Sequence, residues 1–454
     1  MFKKIEIWIL YLVVLLGIPV IIGFGSVVRQ EIIGGTKLGR ISKTSLFFAE
    51  IPSKIMKIAS LNNDLQVEDR FPSLDGFNGT PNSNESYLLL SRYDGEQKEG
   101  IVELVDLTNF KVLHTWNPDI DAFNKSVQKI DEFKYLKRDA NNSRYLLSHP
   151  NLLKDGGLVF QYTSPLRKID SCSNLIFQNQ HDLFHHSLET DMQGNIWVAS
   201  YKYPQSLPIE KVGRFTQNEF DFFDDAIVKL SPDGEILFEK SVSQIFIDNG
   251  LEYLLFTVSN MSSFKNDPIH LNKIEPVNFD GDYWKKGDVF LSLRSQSMVL
   301  LYRPLTNKII WKGTGRFFQQ HDVNILNNHS ISVFNNNKKD FVNGNVTDGY
   351  NEVIIYDFKE DKYSTYFNES LEKYDVRTVT NGRSEILKNG DLIVEETEFG
   401  RTLYFNSDGS LKWTYLNRAD NGNVYRLGWT RILYDYEDIQ IVKNFLQSRI
   451  NCND

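Results

Sequence analysis

The stretch that decides the fold is 186–200, "HSLETDMQGNIWVAS", continued at 224–240 by "DDAIVKLSPDGEILFEK". Each piece is two short apolar runs hinged on a glycine turn, and that pattern predicts paired antiparallel strands. The texture recurs in both directions. "HPNLLKDGGLVFQY" opens at His149, "HLNKIEP…KKGDVFLSLRSQSMVLLYRPLTNKIIWKG" at His270, and "HDVNILNNHSISVFNNN" at His321. "NEVIIYDFKEDKYSTYF" extends the His321 copy, and "GRSEILKNGDLIVEETEFGRTLYFNSDGSLKWTY" forms the last one. An earlier, weaker copy holds "SYLLLSRYDG" and "GIVELVDLTNFKVLHTW". These make about six copies of about 40 to 80 residues, and repeats of four short strands are the mark of propeller blades. One such sheet cannot bury both faces alone, so blades stack around an axis and close. A β-solenoid would have shorter and more uniform repeats. The expected fold class is all-β, a six-bladed β-propeller over residues 81–445.

The N-terminus reads differently. From Ile7 to Val28 no residue is charged. As a helix the run rises about 33 Å, enough to cross a bilayer core. It is longer than a typical signal-peptide core and no clean small-x-small cleavage site follows, so residues 1–29 are read as an anchor ahead of a cleaved signal. Lys3 and Lys4 precede the run, while Arg29, Lys37, Arg40 and Lys43 follow it. Charge therefore does not set the orientation. Residues 30–80 read as a connecting segment, with a short helix at "SKIMKIASLNN" and loop at "FPSLDGFNGTPNSNES".

Of the 454 residues, 50 are Lys or Arg and 59 are Asp or Glu, for a formal net charge of -9. That balance, with no basic run, excludes a broad nucleic-acid face. The two cysteines, Cys172 and Cys452, are either one disulfide in an exported chain or two buried thiols. No Gly-rich phosphate loop and no G-x-S-x-G elbow is present. Nothing in the sequence sets an oligomeric state.

Four of the eight histidines stand at one repeat position. Gly157 follows His149 by eight residues, Gly194 follows His186 by eight, and position 329 follows His321 by eight. His270 opens its copy in the same way, and Gly382 holds the position in the last copy. If this position begins the innermost strand, the imidazoles converge on the central channel. A bland reading makes each histidine a structural turn residue. The polar company argues for a site: His185 beside His186, Asn272 after His270, and Gln320 and Asp322 around His321. Arg294, where a strand ends in "LRSQS", offers a donor fork for an oxyanion. Three histidines can also bind zinc or copper, with Asp182, Asp267 or Asp322 behind them, but no compact metal motif is present.

The ordered set "FHHSLETDMQGNIWV", "DPIHLNKI", "GDVFLSLRSQS", "IIWKG" and "QQHDVNIL…ISVFNNN" resembles the bacterial arylsulfate sulfotransferases. The resemblance runs from about 80 to 440 and is strongest from 181 to 337. It implies a six-bladed periplasmic propeller that moves a sulfuryl group from a phenolic sulfate ester to a phenol. Neither a nucleotide donor nor any other cofactor is implied. His321 matches the histidine that is transiently sulfurylated. His186, His270 and Arg294 match residues that bind the sulfuryl oxygens or carry the phenol's proton. The expected partners are thus a small phenolic sulfate donor, a phenolic acceptor and, through the N-terminal helix, a membrane. His185, Asn272, His149, Phe317 and Phe318 are expected to line the substrate space. Trp197, Trp284 and Trp311 read mainly as blade core. The alternatives are a metal-dependent propeller hydrolase or lyase, and a propeller that only binds a ligand.

Overall fold

The computed structural model describes residues 6–32, 38–59, 65–212, 222–257, 266–341, 344–448 and 452. By its contacts the chain divides into Met1–Asn62 with Phe256–Lys265, and Asn63–Leu255 with Asn266–Asp454. The first unit is helical. Ile7–Ile32 forms one helix and Arg40–Ala59 a second. Within the first, Tyr11–Gln30 has a mean hydropathy of 2.4 and is long and apolar enough to cross a membrane. Most of its described large apolar side chains are exposed.

The second unit is built of antiparallel sheets in a propeller-like all-β fold. Four sheets have four or five strands each. They contain Tyr87–Asp94, Leu271–Pro276, Val323–Ile325 and Arg383–Ile386 among their strands. Between the first and second of these, seven strands form one continuous sheet from Ser148–Leu152 to Ile236–Ser241. Its continuity comes from the long strand Leu175–Thr190, which pairs with Ser164–Ile169 along one edge and Ile196–Tyr201 along the other. A small hairpin, Lys338–Phe341 with Gly344–Thr347, interrupts the sheet that begins at Val323–Ile325. Among the described residues between 150 and 400 the longest helix is Val242–Asp248.

The two ends of the unit close it. The late strand Arg431–Leu433 pairs with Tyr87–Asp94, Arg431 opposite Leu89. At the other end Gly76–Gly79 adds to the edge of Leu411–Leu416. The stretch 71–86, expected as loop, thus contains a strand. Its Gly and Asn residues have poor strand propensity, and pairing with a strand more than 300 residues away overrides it. The sheets are apolar on both faces. In Val289–Leu293, Met298–Arg303 and Leu392–Glu396 nearly every residue is buried, as expected where each sheet is sandwiched between neighbours. Cys172 and Cys452 form a disulfide that ties the C-terminal segment to the 170–174 turn.

Candidate active site

The first strand of each repeat carries the polar residues. His149, His186 and His270 share a left-handed backbone, with φ of 52°, 54° and 54°. Such a conformation is uncommon for a residue with a side chain. A register shift lies at or just after each of them: between Ser148 and Asn151, opposite Val198/Ala199, and between Leu271 and Lys273. Bulges of this kind re-aim a side chain. Gly382, at 88°, keeps the same backbone form without the imidazole. His321 departs from the rule. Its N–H donates to the Phe334 carbonyl and Phe334 returns a bond to the Asp322 carbonyl, so pairing begins earlier there. Two residues before His321, Gln319 takes the left-handed conformation instead.

Three of these imidazoles gather with Arg294. The rings of His186 and His270 lie 4.8 Å apart, edge to face. Arg294 Nη1 donates to His270 Nε2 at 2.8 Å, and His270 Nδ1 faces Asp267 Oδ2 at 2.5 Å. His270 therefore carries its proton on Nδ1. Among the described residues Arg294 Nε has no partner. His321 is 1% exposed. Burial, and then the charge of Arg294, hold its pKa well below the usual imidazole range, so the ring is neutral. Its Nδ1 donates to Asn336 Oδ1 at 2.6 Å. The direction is fixed, because Asn336 Nδ2 donates to the carbonyls of Thr378 and Asn381. The lone pair on His321 Nε2 accepts the backbone N–H of Asn381 at 2.9 Å.

His186 is likewise held neutral by burial and by the surrounding imidazoles. Its Nδ1 meets Nδ1 of His185 at 2.6 Å, and His185 Nε2 faces Asp225 Oδ1 at 3.2 Å. One of the two Nδ1 atoms donates to the other. Tyr201 stacks on His185 at 3.8 Å. His149 is buried against Trp429, with ring centroids 4.0 Å apart.

One residue from His321 begins a buried set of charges. Lys273 Nζ lies 2.5 Å from Glu189 and 3.3 Å from both Glu275 and Asp322. Arg431 pairs with Glu189 at 2.8 Å, and Arg383 with Glu385 at 2.8 Å and Asp322 at 3.8 Å. Glu189, Lys273, Arg383 and Arg431 come from four different sheets, and Asp322 directly precedes the first strand of a fifth. Asp322 is spent on this network and Gln320 on Ser292, Leu293 and Met298. Asn336, not either neighbour, fixes the tautomer of His321.

The arylsulfotransferase (ASST) family profile matches residues 149–418. The chain belongs to the arylsulfotransferase family. No curated relative matches the sequence. Solved structures resemble it at low identity. A protein of unknown function from Bacteroides caccae has 11% identity and a TM-score of 0.43, covering 73% of this chain and 94% of its own. A streptogramin B lyase has 10% identity and a TM-score of 0.37, covering 79% and 97%. The WD40 propeller domain of Doa1 has 10% identity and a TM-score of 0.38, covering 82% and 98%.

In this arylsulfotransferase-family chain the remaining candidates fall in different places. Asn272 is fully buried and donates to the Gln320 carbonyl at 3.0 Å, holding the segment that carries His321. Phe317 is 1% exposed and packs with Trp284, Val277 and Tyr363 in a blade core. Phe318 is half-buried and its carbonyl accepts from the Lys338 N–H. Trp284 and Trp197 are buried and Trp311 is stacked on Tyr356. Asp267 stands behind an imidazole as expected; Asp182 binds Ser200 and the Tyr203 N–H instead. Among the described residues, His181, Asp182 and Glu239 have ligand atoms within 4.8 Å of one another. The Lys202 ammonium already bonds Glu239 there. Asn336, Asn381 and Asp225 were not found from sequence. The one signal was the asparagine run 335–337 closing an apolar strand, two of whose members are fully buried.

Proposed function

We propose that the chain is a nucleotide-independent arylsulfotransferase that moves a sulfuryl group from a phenolic sulfate ester to a phenol through a sulfohistidine at His321. Family membership supports transfer chemistry on aryl substrates. The observation that carries the finer reading is the state of His321. It is a neutral imidazole with its proton committed to Asn336 and its Nε2 lone pair held, among the described residues, by a backbone N–H. A neutral imidazole nitrogen is a competent nucleophile. Arg294, anchored by His270, has guanidinium donors left for the sulfuryl oxygens, where charge develops in the transition state. A cation held by the same imidazoles would meet the Arg294 guanidinium already seated on His270 Nε2. That argues against the metal-dependent alternative.

In this reading the seven-stranded sheet is two blades that share the strand Leu175–Thr190, giving six blades over 81–445. Residues 1–29 act as a membrane anchor or signal sequence, with the sheet unit outside the cytoplasm. The apolar helix and the Cys172–Cys452 disulfide support that side.

The test is mass spectrometry of the protein after mixing with excess 4-nitrophenyl sulfate and no acceptor. One sulfuryl group on the peptide carrying His321, lost on adding a phenol, is the expected result. Modification of another residue, or an active His321→Ala variant, overturns the reading.

A further inference from the structure

A phenol that leaves a sulfate ester needs a proton, and His186 cannot supply one unaided. Its ring is held neutral by burial and by the surrounding imidazoles. A neutral imidazole gives up its N–H readily only as another proton reaches its second nitrogen. That nitrogen, Nδ1, faces Nδ1 of His185 at 2.6 Å. Behind His185 lies Asp225, which opens the strand Asp225–Leu230 directly across from Tyr201. Asp225 Oδ1 is 3.2 Å from His185 Nε2, off the line of a hydrogen bond. His185 is 1% exposed and Asp225 is fully buried. Among the described residues neither Asp225 oxygen accepts a hydrogen bond, and no Lys or Arg pairs with it. An ionised carboxylate so placed is costly unless a positive charge stands beside it. His185 is the neighbour that can carry that charge. Tyr201 lies face to face with its ring, centroids 3.8 Å apart and planes 22° apart, a placement that favours a cation.

We propose that His185 and Asp225 are a proton store behind His186, an imidazolium–carboxylate pair that supplies the departing phenol and is refilled by the acceptor; this rests on the arylsulfotransfer reading. Both are positioning residues that act through His186. In the first half-reaction the His321 Nε2 lone pair forms the N–S bond and the S–O(aryl) bond breaks, its electron pair going to the aryl oxygen. That oxygen takes the proton on His186 Nε2 and leaves as a neutral phenol. His186 Nδ1 takes the proton on His185 Nδ1. His185 is left neutral, its remaining N–H on Nε2 beside Asp225. In the second half-reaction the acceptor hydroxyl gives its proton to His186 Nε2 while its oxygen bonds sulfur. The N–S pair returns to His321, and the proton on His186 Nδ1 passes back to His185. Each Nδ1 is donor in one half and acceptor in the other, which the short contact between them permits. Burial pushes the Asp225 carboxyl above its ordinary range, against the pull of His185. The pair therefore keeps its proton at a pH where a free carboxylate has none.

The experiment compares single-turnover release from phenyl sulfate and 4-nitrophenyl sulfate in the wild type, Asp225→Asn, His185→Phe and the double variant, with melting temperatures alongside. Phenolate is a poor leaving group without a proton and 4-nitrophenolate a good one. Each single variant should slow phenyl sulfate by about 10²-fold and 4-nitrophenyl sulfate by no more than about threefold. Because Asp225 acts through His185, the double variant should be no slower than His185→Phe alone. If Asp225→Asn does not fold, His185→Phe, which keeps a ring on Tyr201, carries the same comparison of donors. Equal slowing of both donors in a folded variant, a single variant within about twofold of wild type on phenyl sulfate, or additive losses in the double variant would overturn the proposal and leave the arylsulfotransfer reading standing. A wild type that forms no sulfohistidine from either donor overturns both.

Discussion

The backbone N–H of Asn381 sits 2.9 Å from Nε2 of His321, on the lone pair that attacks sulfur in the proposed reaction. The same segment is tied back to His321 through Asn336, whose amide bonds the Thr378 and Asn381 carbonyls. Asn336 therefore controls both the tautomer of the nucleophile and the cover over it. Asn336→Ala should slow release of phenol from the donor by about 10²-fold, the scale seen when a partner that orients an imidazole is removed. Stopped-flow release with donor alone measures this step. A rate within twofold of wild type would detach Asn336 from the chemistry.

The two adjacent phenylalanines separate cleanly. Phe317 fills the blade core, whereas Phe318 is half-buried with the Lys339 ammonium over its ring. Phe317→Ala should cost about 3–5 kcal/mol of stability, the usual range for a buried aromatic. Phe318→Ala should raise KM for aryl sulfates and shift the melting temperature little. Thermal unfolding and initial-rate curves on both variants decide it, and the reverse pattern would exchange their roles.

Lys273 neutralises Glu189 from another sheet and Asp322 directly ahead of a third. Lys273→Met leaves Glu189 with Arg431 alone and Asp322 short of a partner, at an expected cost of about 3–5 kcal/mol. Lys388→Met, at a largely exposed ion pair, should cost under about 1 kcal/mol. Equal melting temperatures for the two variants would count the buried network as neutral.

Glu275 gives the network a pH signature. Burial pushes its carboxyl up to about 7, against the pull of Lys273, from an ordinary 4.5. Between those values the folded chain holds a proton that the unfolded chain has released. Folded stability from this group is therefore lost as pH rises from 4.5 to 7. Glu275→Gln keeps the shape and removes the titration. Its melting temperature relative to wild type should climb across that window, and a constant difference from pH 4 to 8 would contradict the assignment.

The sheet grammar was open to reading because apolar alternation and Gly turns fix strand pairs locally. His186 and His270 were open because each opens a repeat copy, and Arg294 because it ends a strand in the same fixed order. What stayed hidden depends on distant segments. Gly76–Gly79 is a strand only because Leu411–Leu416 lies beside it. The continuous strand Leu175–Thr190 has a polar middle, "QNQHD", that reads as a break between blades. Asn381 acts through its backbone, which leaves no mark on residue type. His321 looked equivalent to the other three imidazoles, yet its backbone conformation differs from theirs.

The pairing of Arg431 with Glu189 carries a consequence for the order in which the molecule comes into being. Arg431 lies on the strand that closes the sheet begun by Tyr87–Asp94, so the first sheet waits for nearly the last strand. During synthesis, or passage through a translocation channel, Glu189, Lys273 and Asp322 emerge long before the cation that completes them. Contacts of such sequence separation form late and slowly. A ribosome stalled before residue 431 would hold the His186, His270 and His321 segments without their enclosing ring. In the proposed reading, catalytic competence is thereby deferred until the chain has left the ribosome.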